Sequence, residues 1–304
     1  NDNSKSTKEI SNRSLPGGRH GGDIQGLIKN LDYIKELGAT AVWPTPLCED
    51  NDENYSYHGY AQSDVYKIDP RYGTNEEYVK LSAELHQRGM KNIMDYVTNH
   101  WGWKHWMYND LPTYNWIHQF PGYSQSNYRM TTQFDKNASK IDSKQCMDGW
   151  FVPSMPDLNQ SNPLVLNYLI QNAIWWIEEF GIDGYRIDTY AYCDQQFMSD
   201  LAERIKKEFP QFFTLGETWV HGIQVQNFFI EDNPFRKPFN SHLQTVTDFQ
   251  WYFALTNGIH EKTEWNTGMS RAYYILAGDY MYEKPENLVT FVDNHDIARW
   301  YGHC

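Results

Sequence analysis

The stretch Gly184-Tyr185-Arg186-Ile187-Asp188-Thr189-Tyr190 holds two side chains whose types and spacing could do chemistry. Its pattern predicts a buried strand, and residues two apart on a strand leave the same face, so Arg186 and Asp188 point the same way. An Arg beside a carboxylate favours the ionised form near neutrality. An ionised Asp at the carboxyl end of a strand is what a covalent glycosidase needs as its nucleophile. A structural Arg–Asp ion pair accounts for this segment equally well, so the rest of the chain has to choose.

The elements that would position such a pair alternate along the chain. Asp23 is a plausible N-cap for a helix over 24–37, where Ile24, Leu27, Ile28, Leu31, Ile34 and Leu37 keep helical spacing and Gly38 follows as a stop. A buried strand is predicted over 39–46, a helix over 75–88, and a strand over 91–100 that ends in polar groups. Residues 101–162 break the pattern: this polar, aromatic stretch is too long for an ordinary connection and reads as a small inserted domain. Regularity returns with a helix over 163–180, the strand 184–190, a helix over 195–209, and strands at 212–219, 243–249 and 287–292, with less regular helices over 250–278. Six apolar strands alternating with helices, each running into charged or aromatic residues, fit an α/β fold of the (β/α)8 barrel type, whose site lies at the carboxyl ends of the strands. A doubly wound open sheet is the alternative, but it gathers its ligand residues at one crevice.

Composition narrows the partner. The 304 residues carry 26 Lys plus Arg against 39 Asp plus Glu, and the resulting net charge of −13 disfavours nucleic acid and anionic membranes. Aromatic residues make up 16% of the chain, with 12 Trp and 22 Tyr, while mean hydropathy is −0.73, so many rings are expected at the surface or along a cleft where sugars stack. No apolar run is long enough for a membrane span, and the polar start over 1–13 is not a signal peptide, which leaves the compartment open. Cys48, Cys146, Cys193 and Cys304 lack the spacing of a zinc or redox site. The glycines over 17–22 lack the Lys-Ser or Lys-Thr of a phosphate loop.

Five short segments carry a resemblance. Asp95-Tyr96-Val97-Thr98-Asn99-His100, Gly184 to Asp188, Gly216-Glu217-Thr218-Trp219 and Phe291-Val292-Asp293-Asn294-His295-Asp296, in this order, resemble the four motifs of the α-amylase family of glycoside hydrolases. Met155-Pro156-Asp157-Leu158-Asn159 resembles the motif that the family carries late in its inserted domain, in a form close to neopullulanases and cyclomaltodextrinases. The resemblance implies a retaining mechanism on an α-glucan, with Asp188 as nucleophile, Glu217 as general acid/base and Asp296 as the third carboxylate. It further implies that His100 and His295 bond sugar hydroxyls, that Tyr60 with nearby His58 stacks under the sugar, and that Asp95 orients Arg186. The apolar neighbours Phe212, Phe213, Leu215 and Trp219 would raise the pKa of Glu217, and the two carboxyls are expected roughly 5 to 5.5 Å apart.

Many members of that family hold calcium between insert and barrel, and Asn99 and Asp157 match two of its usual ligands. Where calcium-binding members have Lys-His, this chain has Ala191-Tyr192, a departure at the third ligand. The resemblance divides the chain into the N-terminal part of a barrel over 1–100, the insert over 101–162 and the remainder of the barrel over 163–304. No strand is predicted before residue 17 and none after 292, so the barrel is expected without its first and last strands, as a piece of a longer protein. A transglycosylase using the same covalent intermediate, and a glucan-binding relative without catalysis, are the alternative functions.

Overall fold

A computed structural model describes residues 11–302; the polar lead over 1–10 and Cys304 lie outside the described residues. Asp23 turns the chain into helix α1 (Ile24–Lys29), its carboxylate accepting from the Gly26 amide at 2.6 Å. The single helix expected over 24–37 is two. Asn30 leaves helical geometry (φ −109°, ψ 8°), its side chain donates to the Gly26 carbonyl at 2.7 Å, and α2 (Leu31–Glu36) starts afresh beyond it.

The first parallel strand, β1 (Ala41–Val42), is much shorter than the 39–46 expected, because Pro44 and Pro46 have no amide to give a ladder. Where a long loop was expected, β2 (Cys48–Glu49) and β3 (Asp64–Ile68) pair antiparallel, and the chain between them carries His58 and Tyr60. Helix α3 (Asn75–Gln87) opens with a capping box between Thr74 and Glu77 and leads into β4 (Lys91–Tyr96). Residues 101–162 form short turns, single bridges and one helix, α4 (Lys140–Asp148). Their buried Trp101, Trp116, Ile117 and Leu158 belong to the same apolar core as the helices that follow.

Helix α5 (Pro163–Phe180) starts on an Asn162 cap with Pro163 in its first turn, and stops at Gly181, which takes the left-handed conformation. Then come β5 (Gly184–Ile187), α6 (Gln195–Glu208), β6 (Phe213–Gly216), the short α7 (Ile223–Asn227), β7 (Thr245–Val246), α8 (Phe249–His260) and α9 (Ser270–Ala277). The parallel strands lie in chain order, β1-β4-β5-β6-β7. Asp95 is level with Arg186, and Ile187 with Gly216, so the carboxyl ends of β4, β5 and β6 finish on one line. The expected strand over 287–292 does not form: a turn at Pro285–Asn287 precedes it, and only Val289 joins the sheet, by one parallel bridge to Thr247. Among the described residues no pairing joins β1 to β7.

Two tyrosines fix the sheet to its longest helix. Tyr96 and Tyr185 stack with centroids 4.5 Å apart, and their hydroxyls donate to the α5 carbonyls of Leu169 (2.8 Å) and Ala173 (2.6 Å). The close approach of β5 to its neighbours needs a residue without a side chain at 184. A Cβ there would sit 2.8 Å from the Phe213 carbonyl oxygen and 2.9 Å from Ile93 Cδ1. Gly184→Ala should therefore lower stability by about 1–3 kcal/mol, read as a shift in the denaturation midpoint, whereas an unchanged midpoint would mean that β5 is free to move.

Candidate active site

Arg186 leaves β5 into a fully enclosed setting where a single guanidinium meets four carboxyl groups. Nη1 lies 2.6 Å from Asp188 Oδ1 and 3.0 Å from Asp95 Oδ1; Nη2 lies 2.8 Å from Glu217 Oε1 and 3.9 Å from Asp296 Oδ2. One positive charge cannot balance the three buried carboxylates of Asp95, Asp188 and Glu217, so part of this set must hold protons. Burial, with Arg186 pulling the other way, pushes both Asp95 and Glu217 up to about 7. Burial raises Asp188 as well, against the same opposition from Arg186. That runs against the expectation that Arg186 keeps Asp188 ionised: desolvation outweighs the guanidinium, which the neighbouring carboxyls share.

Asp188 and Glu217 flank that guanidinium from the ends of adjacent strands. Contacts of 2.6 and 2.8 Å on either side of a guanidinium put at most roughly 8 Å between the two contacting oxygens, within the range in which paired carboxyls cleave glycosides. Thr189 bridges them a second time: its amide donates to Glu217 Oε2 at 2.8 Å and its hydroxyl to Asp188 Oδ2 at 3.3 Å. To do so it takes φ 43°, a left-handed conformation that a β-branched residue pays strain to adopt.

Around this pair stand the aromatic and imidazole groups. The Tyr60 hydroxyl donates to Asp95 Oδ2 (3.2 Å) and lies 2.6 Å from His295 Nε2. His295 Nε2 is also 3.3 Å from Asp296 Oδ2, and burial lowers the pKa of this imidazole. His58 accepts the Tyr60 amide at 2.9 Å and stacks on its ring. His100 is buried, which holds its pKa down at about 4, and its Nε2 has no hydrogen-bond partner among the described residues. Tyr60, His58, His100, Asp188, Glu217, His295 and Asp296 all line one cavity of about 590 Å³, with Arg186 beneath it.

Several residues at or beneath the cavity escaped the sequence reading. Trp43 donates from Nε1 to Asp95 Oδ2 at 3.0 Å and lays its ring 5.2 Å from the Arg186 guanidinium; it lies inside the strand predicted over 39–46 but directly follows the observed β1, so looking only at the predicted strand ends passed it over. Tyr192 and Trp219 also face the cavity. Of the rings expected along a cleft, the insert supplies no Trp or Tyr here; it contributes Phe151 and Met155. Its Trp101 and Trp116 are spent on the core, since rings that large are the cheapest way for a segment with few regular elements to bury area.

Asn99 and Asp157 do meet, with the Asn99 amide donating to Asp157 Oδ1 at 3.0 Å. As arranged they do not fit a calcium ion. The other Asp157 oxygen takes a hydrogen bond from His118 Nδ1 at 2.6 Å, and Asn99 Oδ1 faces the Cys193 thiol at 3.7 Å. Imidazole and thiol are poor company for a hard cation that asks for six or more oxygens. Among the described residues no three His, Cys, Asp or Glu side chains converge as metal ligands.

The model of the α-amylase catalytic domain matches residues 2–304. Alpha-amylase 2 of Dictyoglomus thermophilum is 30% identical over 297 residues, covering 97% of this chain and 47% of that protein. A cyclomaltodextrinase of Geobacillus thermopakistaniensis is 32% identical over 200 residues, covering 66% of this chain and 32% of that protein. The crystal structure of an Anoxybacillus alpha-amylase superposes with a TM-score of 0.80 at 32% identity, covering 96% of this chain and 58% of that one. The chain thus spans about half or less of the length of these curated relatives.

The raised Glu217 makes a statement about stability. Between the ordinary carboxyl range and about 7 the folded protein keeps a proton there that the unfolded chain releases, so this contribution is full at low pH and is lost as pH rises through about 7. Glu217→Gln cannot lose that proton. Its unfolding temperature relative to the parent should rise between pH ~5 and pH ~8, and parallel curves over that window would show that Glu217 is ionised in the fold.

Proposed function

Since the chain belongs to the α-amylase family of glycoside hydrolases, we propose that it hydrolyses α-1,4-glucosidic bonds in starch-type glucans (starch, pullulan, cyclodextrins, maltooligosaccharides) with retention of anomeric configuration. The observation that carries this reading is the sharing of one buried guanidinium by Asp188 and Glu217 at the floor of a ring-lined cavity. Glu217, protonated through burial, is placed to give its proton to the leaving glycosidic oxygen. With that proton retained, the charge of Arg186 is left to Asp188, whose carboxylate attacks the anomeric carbon as the old bond breaks. The ionised Glu217 then takes a proton from water, the water oxygen displaces Asp188 from the anomeric carbon, and both carboxyls regain their starting states.

The remaining groups hold the sugar. His100, whose buried Nε2 has no hydrogen-bond partner among the described residues, and His295 bond hydroxyls, Tyr60 stacks under the ring, and Asp296, the most exposed of the four carboxyls, holds hydroxyls of the distorted sugar. The parallel sheet is read as part of a (β/α)8 barrel, with residues 101–162 as a domain inserted after β4. Among the described residues no helix is long and apolar enough to cross a membrane.

The test is to incubate the protein with pullulan, cyclodextrin and soluble starch in parallel and to follow the first-formed anomer by proton NMR. The α-anomer is expected at once, and an initial β-anomer would contradict the retaining mechanism. Asp188→Asn should cost on the order of four decades in rate. Glu217→Gln should be crippled on glucans yet partly active on a substrate whose leaving group needs no proton; equal loss on both would remove the acid role from Glu217.

A further inference from the structure

His118 lies in the insert, and none of the five motifs includes it. Its ring stands between two carboxylates: Nδ1 lies 2.6 Å from Asp157 Oδ2, and Nε2 lies 3.7 Å from Asp148 Oδ1. Its backbone is held just as closely, with its amide donating to the Asp157 carbonyl at 3.0 Å and its carbonyl accepting Trp150 Nε1 at 2.9 Å. Asp157 in turn accepts from Asn99 at 3.0 Å, and the Leu158 amide donates to the Asn99 carbonyl at 2.9 Å, directly beyond β4. Asp148 and Asp157 are the two ends of the segment that contributes Phe151 and Met155 to the cavity wall.

From this geometry we infer that His118 is a positioning residue: it clasps both ends of segment 148–157 and ties them to the end of β4. It performs with an imidazole the fastening that the family resemblance reserves for calcium. A buried carboxylate with both oxygens accepting charge-assisted or amide hydrogen bonds is satisfied without a cation. The wall residues Phe151 and Met155, and His100 next to Asn99, take their places from this tie, although His118 itself does not line the cavity.

The full-length protein tests this in three arms. First, the unfolding temperature should be the same in excess EDTA and in excess calcium; a drop in EDTA that calcium restores would overturn the inference, because a cation would then be the fastener. Second, His118→Ala should open segment 148–157 to limited proteolysis, whereas His118→Asn, whose amide nitrogen can take the place of Nδ1, should keep it protected. An Ala variant as protected as the parent, or an Asn variant as open as Ala, would overturn it. Third, His118→Ala should raise KM for maltooligosaccharides roughly tenfold with a much smaller change in kcat, and His118→Asn should restore KM. A fall confined to kcat would place His118 in the chemistry instead. The first two arms need no activity, so they remain decisive even where the glucan reading of the third fails.

Discussion

A buried Arg186 guanidinium shared by four carboxyl groups is the constraint on which the rest of this structure depends. Removing a carboxylate from water is costly, and a single cation offsets that cost for only part of the set. The protons that remain are therefore not incidental; they are the condition under which such a cluster can be buried at all. Because the partners stand at different ends of the guanidinium, the proton and the cation's attraction can be divided between Asp188 on Nη1 and Glu217 on Nη2. On the proposed reading, the acid and the nucleophile are two consequences of one charge imbalance.

Holding that arrangement sets demands on the backbone. The parallel register puts Asp95 beside Arg186 and Ile187 beside Gly216, so the three strand ends finish level, and the ladder stops there. Beyond it each segment turns to serve side chains instead of sheet: Thr189 takes its left-handed conformation to reach Glu217, and Asn99 turns to Asp157. Tyr96 and Tyr185, bonded to the carbonyls of α5, keep the strands from sliding beneath this layer. The aromatic groups above it, Trp43 over Arg186 and Tyr60 against His295, keep water from the guanidinium while leaving the sugar-sized cavity open.

Much of this was legible in the residues. Strand positions near 41, 91, 184, 213 and 245 followed from apolar runs, and the convergence of Tyr60, His100, Asp188, Glu217 and His295 on one cavity followed from placing each at a strand end. Three features were not legible, each for a physical reason. Pairing of Val289 alone, where 287–292 reads as a strand, depends on what lies beside it in space and not on its own propensity. The break at Asn30 interrupts a perfect apolar period, because periodicity records which face is buried and says nothing of a side chain turned back onto its own helix. His118 finds its partners 30 and 39 residues away, across a segment whose one helix is α4, and a lone His has no pattern for sequence reasoning to seize.

The central claim is that Arg186 prepares Asp188, and no other carboxyl of its cluster, to bond the anomeric carbon. A fluorinated glucosyl fluoride, which forms the glycosyl-enzyme quickly and releases it slowly, would trap that ester for peptide mass spectrometry. The account predicts one sugar per protein molecule, carried on the peptide containing Asp188 and lost in Asp188→Asn. A label on Glu217 or Asp296 would contradict it, as would rapid turnover of the reagent without any label.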